Sequence, residues 1–499
     1  MGDYTPDSKK LCTERVTQKG DYGYNKGNFY LSLWKVTANV SFLARLGRDF
    51  FFRCFQAGTH DILIVTGLAD SVEACAVIPQ LRSQFNREYS PDKYATLIAR
   101  LEERCGSKVN FRVAETPIFM EKSLLDQMAD VGAELASRLI GDPPYIEAAH
   151  RAIPRNFCVP GEVRHPHFLT ADFGLVRNAS GGFSPKLVEL QAFPSVYAYQ
   201  AVLAKMYQCV YELGPDLGCF LGGLDKDSYL ELFSRTILGG EDPLHVVLTE
   251  IDPDRQKTRP DFEVTARKLG LTVVDIRSLE VEREQLYYRN SQGKQIQIHR
   301  IYNRAIADEL VARNIKLPFD LTKRWDVEWA GHPNWYFLIS KFSLPWLARW
   351  GGFGGVVPPA VFLDEFLAGD GRQRLEAAGV ELPSPVADAV YRELLLKPLF
   401  SFAGKGIRFE PTHAELEAIP PSERSQYIVQ QRVKFEPTID TPAGMTQAEI
   451  RIMYLWPDRG TLRPALPLVR LGRGKMMGVD HNRDQEWVGG SAAFYPTGV

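Results

Sequence analysis

The chain has 499 residues, 45% of them hydrophobic and 24% charged, with a formal net charge of −2. That length holds several domains and a large buried core, while the near-balanced charge, with basic residues spread out rather than clustered, argues against a nucleic-acid or acidic-membrane partner. The seven cysteines (Cys12, Cys54, Cys75, Cys105, Cys158, Cys209, Cys219) form no CxxC pair, which excludes a zinc knuckle or disulfide framework, and no apolar run approaches the about 18 residues of a membrane span, so a reducing, cytoplasmic setting is expected.

The first thirty residues are polar and glycine-bearing, and Phe29 to Phe55 is apolar and aromatic, as in an element packed between layers. His60 to Thr66 reads as a buried strand and Ser71 to Asn86 as an amphipathic helix. Ser90-Pro91-Asp92 starts another helix, with serine as N-cap and proline in the first turn, and Gly106 stops it. A strand at Val109 to Val113 follows, so residues 1–115 read as a small N-terminal α/β unit. Ser123 to Ile140 then sets Leu124, Leu125, Met128, Val131, Leu135 and Leu139 on one helical face, the spacing of core packing.

Phe168 to Tyr199 reads as two strands joined by a Gly/Ser/Asn/Pro turn from Asn178 to Pro185. Hairpin pairing sets Asp172 opposite the Glu189 segment, and alternation puts Glu189 and Gln191 on one face. Three oxygen-bearing side chains in that arrangement suit a hard cation; the same spacing also suits an exposed polar strand face.

A βαβ-like segment comes next, with strands at His245 to Leu248 and Thr272 to Ile276 around a helix from Arg259 to Leu269, and then a hairpin from Tyr287 to Arg304. Its first turn has no glycine, which argues against a dinucleotide site. The aromatic-rich stretch Trp325 to Trp350 contains Lys341, which by position alone also suits the surface of an amphipathic helix. Leu394 to Phe409 reads as strand, loop, strand: the first strand delivers Lys397 and Pro398, and the loop carries Gly404, Lys405 and Gly406. Glycines let backbone N–H groups approach anionic oxygens closely while a strand lysine adds a point charge, although a plain hairpin turn has the same pattern. Strands at Tyr427 to Val433, Glu449 to Trp456, Leu466 to Leu471 and Trp487 to Phe494 close the chain.

In their order these pieces resemble the ATP-grasp ligases, especially the circularly permuted members, the glutathionylspermidine synthetases and the eukaryotic-type glutathione synthetases. The resemblance covers residues 160–499 and rests on Asp172-Phe173, Glu189-Leu190-Gln191 before Pro194-Ser195, Tyr302-Asn303-Arg304, Lys341, Val356-Val357-Pro358-Pro359, and Lys397-Pro398 with its glycine loop. Two departures stand out. The loop stretch Leu399-Phe400-Ser401-Phe402 lacks the family's metal-reaching glutamate, and Thr170 stands where the family has an arginine.

What the resemblance implies is an α/β (α+β) chain with an ATP-grasp fold. Residues 116–240 would hold a helical segment and the metal hairpin, 241–320 a three-layer Rossmann-like substrate domain, and 321–499 the nucleotide-binding lobe. It further implies an ATP-dependent ligase that joins a carboxylate to an amine or thiol through an acyl phosphate. In that reading Lys341, Lys397, Gly404, Lys405 and Gly406 hold ATP phosphates, and Gln430, Gln431 and Val433 take the adenine. Asp172, Glu189 and Gln191 hold Mg2+, and Arg304, Arg470 or Arg483 steadies the acyl-phosphate oxyanion. The alternatives are a non-catalytic nucleotide-binding protein, to which the two departures point, and a small-molecule kinase on the same fold.

Overall fold

The structure, a computed structural model, describes residues 53–57, 60–64 and 77–498, apart from 179–180, 402–403, 479–481 and 483. The chain divides into two compact units, Met1–Asp70 and Ser71–Val499. In the first, Arg53–Ala57 pairs antiparallel with His60–Ile64, which places a strand where the sequence predicts one. The polar start of the chain and most of the apolar stretch from Phe29 lie outside the described residues.

The second unit is a mixed α/β fold built on three larger sheets. The central sheet runs in the order Ile118–Phe119, Gly489–Pro496, Arg463–Gly472, Thr446–Leu455, Phe168–Arg177, Phe183–Gln191, and its long strands pair antiparallel. One face is closed by helix Lys122–Ile140, whose Leu124, Leu125, Met128, Leu135 and Leu139 are buried at the predicted spacing. Tyr454 donates its hydroxyl proton to the Ala129 carbonyl at 2.8 Å, which ties this helix to the sheet. The opposite face is polar along the middle of the sheet, and that face matters below.

A second, four-stranded antiparallel sheet has the order Ala360–Phe362, Tyr427–Gln431, Leu394–Pro398, Arg408–Phe409. Alternation divides its side chains cleanly. Leu394, Leu396 and Val429 pack with Val361, Leu363 and Phe366 in a separate apolar cluster, while Leu395, Lys397 and Gln430 face the other way. The third sheet is parallel, in the order Glu328–Ala330, Arg300–Asn303, Val246–Glu250, Thr272–Asp275, with helix Arg259–Leu269 crossing between its last two strands.

Residues 77–115 are built into this second unit. Helix Pro91–Cys105, capped by Ser90 and ended by Gly106 as predicted, packs against helices Tyr197–Val210 and Arg259–Leu269, so the boundary expected near residue 115 coincides with no break in packing. One core joins Leu124, Ala171, Ile301, Ile428 and Ile450 across the three later segments as well. Three other expectations need correction. Val109 to Val113 makes a single parallel bridge, Val113 to Gly490, rather than a strand. The predicted hairpin ends at Gln297, and Arg300–Asn303 joins the buried parallel sheet instead. Val356 to Pro359, which the family resemblance matches to a strand between the two lysines, forms none; the extended pairing begins at Ala360, past the prolines that cannot donate to a ladder.

Candidate functional site

Between the polar face of the central sheet and the inward face of the four-stranded sheet lies a cleft of about 650 Å³. Its lining includes Asp172, Glu189, Gln191, Lys341, Lys397, Gly404, Gln430, Val433 and Arg470, so most of the residues selected from sequence meet in one place. Lys405 and Gly406 are exposed on the loop beside it, Gln431 spends its backbone N–H on the Pro359 carbonyl at 2.8 Å, and Arg483 lies outside the described residues.

The floor follows from strand register. Asp172 pairs with Glu189 on one side and Arg451 on the other, and Glu449 pairs with Arg470 one step along, so these groups share a sheet face. A β-bulge after Asp172 inserts Val188 as an extra residue, which leaves its carbonyl free to point into the cleft. Lys397 donates to that carbonyl at 3.4 Å.

Hydrogen bonding on the floor is dense. Arg451 grips Asp172 through Nε to Oδ1 and NH2 to Oδ2, both at 2.6 Å, and reaches Gln191 Oε1 at 3.3 Å. Arg470 adds a contact to Asp172 Oδ2 at 3.2 Å and a short ion pair with Glu449. Lys341 meets Glu189 at 2.8 Å and the Ser401 carbonyl of the glycine loop at 2.6 Å. With 2% exposure and a position between helices Asn334–Leu338 and Ser343–Trp350, Lys341 is a buried group and not a surface lysine.

Burial and charge set the protonation of these groups. Burial pushes the Asp172 and Glu189 carboxyls up, but the arginines beside the first and Lys341 beside the second outweigh it and hold both below their ordinary values. Glu449 goes the other way, raised by burial despite Arg470. Lys397 is 3% exposed, and burial brings its amine down to about 8 even with Glu189 nearby. An ammonium this deep with one long hydrogen bond is poised for an anion. Gln430 also faces the cleft with a buried side-chain N–H group that has no protein partner among the described residues.

The glycine loop carries its own signature. Gly404 has φ +74° and a Cβ there would collide with Met476; Gly406 has φ +77° with Pro398 at 3.0 Å from such a Cβ. Both positions favour glycine because their backbones are left-handed.

Arg304 is placed differently from expectation. Its guanidinium lies between the rings of Phe193 and Phe262, 5.3 Å from each, and touches Thr258 at 3.4 Å, while Nε and NH1 have no protein partner among the described residues. Phe193 and Thr258 line the cleft; Arg304 stands behind them. Nearby Glu250 is 4% exposed and pushed up to about 8 by burial.

The donor set suits phosphate oxygens, since two lysines, two arginines and a glycine loop surround one space. It does not suit the magnesium ion expected on Asp172, Glu189 and Gln191. Both oxygens of Asp172 are held by guanidinium groups, Gln191 gives its oxygen to the same arginine, and Glu189 holds an ammonium. Among the described residues, no group of three or more His, Cys, Asp or Glu side chains is arranged to hold a metal ion.

Sequence reading missed Arg451 and Glu449. Both sit at alternate positions of the predicted strand Glu449 to Trp456, on the face opposite Ile450 and Ile452, and that alternation was the available signal.

Comparison with known proteins gives little further. No family model and no curated protein matches the chain. Among solved structures, a glutathione synthetase-like effector from Globodera pallida, in its apo form, is similar over 81% of this chain and 98% of its own, at 10% identity and a TM-score of 0.45. That is a distant, partial likeness of fold.

Proposed function

We propose that the cleft between the two antiparallel sheets is an ATP-grasp nucleotide site and that the chain is an ATP-dependent carboxylate–amine ligase. The observation that carries this reading is the pair of buried lysines, Lys341 and Lys397, reaching the same cleft from different elements beneath a glycine loop. Phosphoryl transfer asks the protein mainly for positioning and charge neutralisation. Lys397 would hold phosphate oxygens from the sheet wall, and Lys341 would do so on exchanging its bond to Ser401 for one to the ligand. The backbone of the Gly404 loop would cover them. The Gln430 amide nitrogen, with no protein partner among the described residues, would bond the ligand at the edge of the same wall. Among the described residues Arg470 is the one predicted arginine at the cleft surface, so it is the better choice for a developing oxyanion than Arg304, which Phe193 and Thr258 screen.

A second reading, nucleotide binding without ligation, is favoured by the Asp172 carboxylate being taken up by arginine. The two separate in one assay with ATP, a pool of small carboxylates and amines, and product analysis. Equal release of ADP and inorganic phosphate that depends on the added acid and amine supports the ligase, and a stable phosphorylated product supports the kinase alternative. ATP binding with no turnover supports the second reading, and no ATP binding overturns all three.

A further inference from the structure

The three side chains expected to hold a cation each hold a nitrogen of this chain instead. Asp172 accepts from Arg451 at both oxygens, Gln191 accepts from Arg451 through Oε1, and Glu189 meets Lys341 at 2.8 Å. The Arg451 guanidinium therefore lies at the point where two of those acceptors converge.

We infer that Arg451, braced by Arg470, takes the place of a divalent cation in this cleft, so that the cleft binds its polyphosphate ligand without a metal ion. Geometry supports this first. Arg451 reaches Asp172 from the register-paired position on the neighbouring antiparallel strand, which sets two of its N–H donors against the two carboxylate oxygens. Arg470 comes from the next strand and closes the other side of Oδ2. A guanidinium is charged at every accessible pH, its planar donors match carboxylate and phosphate oxygens, and it is covalently tethered. Magnesium demands near-octahedral oxygen ligands at about 2.1 Å and gives up its water reluctantly, so it competes poorly for a carboxylate already bound bidentately.

The charge count agrees. Lys341, Lys397, Arg451 and Arg470 supply four cations around the floor, against the three carboxylates Asp172, Glu189 and Glu449. The floor is thus positive before any ion arrives, and Arg473 adds to this along the lining. Magnesium needs carboxylate oxygens left free for it, and the three acids on this floor are engaged by nitrogen. The loop stretch Leu399-Phe400-Ser401-Phe402 fits the same pattern, since it offers the cleft no further carboxylate, while the adjacent strand offers an arginine.

This inference rests on the nucleotide reading, and the test separates the two. ATP and inorganic tripolyphosphate are titrated into the full-length protein, once with excess magnesium and once with a chelator. The expected result is affinities that agree within about threefold between the two buffers, since the neutralising charges are part of the chain. A loss of about tenfold or more on chelation overturns the inference while leaving the nucleotide site intact. Tripolyphosphate binding in chelator with no ATP binding keeps the inference and overturns the nucleotide reading, and no binding of either ligand overturns both. Arg451→Lys, which keeps a cation, should stay indifferent to magnesium, whereas Arg451→Met should become dependent on it. Magnesium dependence unchanged between wild type and a folded Arg451→Met protein also overturns the inference.

Discussion

Arg451 and Asp172, 279 positions apart in the chain, are direct cross-strand partners joined by two parallel hydrogen bonds of 2.6 Å, with their side chains only 7% and 4% exposed. Removing one partner of such a pair leaves an uncompensated buried charge, which is far more costly than losing the pair as a whole. Arg451→Met should therefore destabilise the protein by about 3 kcal/mol, and the double variant with Asp172→Asn by clearly less. Urea unfolding of the two variants checks this; equal losses would mean that the charge pairing is not what matters at this position.

Lys397 gives a pH signature. Burial lowers its amine from 10.5 to about 8, so between those values the unfolded chain still carries the proton that the folded protein has released. Stability then rises with pH across that window, by about 3 kcal/mol in total, and Lys397→Met should abolish the rise. The check is the wild-type minus variant difference in unfolding free energy at neutral pH and near pH 10, and a difference that does not change with pH contradicts the burial assignment.

Glu250 has the opposite sign. Its folded pKa is raised from 4.5 to about 8 by burial, which outweighs the attraction of Arg304. The stability it contributes is fully present below pH 4.5 and is lost as pH rises through 8, so Glu250→Gln should stabilise the protein most in mildly alkaline buffer. Melting temperatures of the pair should diverge as pH increases, and parallel curves would contradict this.

Gln430 separates function from stability. Its buried side-chain nitrogen bonds no protein group among the described residues, so Gln430→Met, which conserves volume, should change unfolding free energy by less than about 1 kcal/mol while weakening the cleft's ligand. A large loss of stability with unchanged ligand affinity would place the role of this amide in the fold.

The elements around the cleft were legible because local periodicity encodes them. Leu394 and Leu396 alternate with Leu395 and Lys397 in sequence just as they alternate between core and cleft, and Ser90-Pro91 with Gly106 bounds a helix to the residue. The Asp172 and Glu189 hairpin was equally local. What stayed hidden was non-local: no spacing within a strand tells that Thr446–Leu455 lies beside Phe168–Arg177, and so none tells that the single arginine in EIRIMYLW meets Asp172. Arg300–Asn303 misled for a related reason, since a strand following a hairpin within a few residues reads as its continuation until the sheet it joins is known.

Equilibrium titration of ATP into the wild type and into Lys397→Met at neutral pH probes the cleft most directly. The buried ammonium with one long hydrogen bond predicts measurable ATP binding in the wild type and at least about tenfold weaker binding in a variant that melts cooperatively. Equal affinity in the two proteins, or no binding of ATP by the wild type, would contradict the nucleotide site.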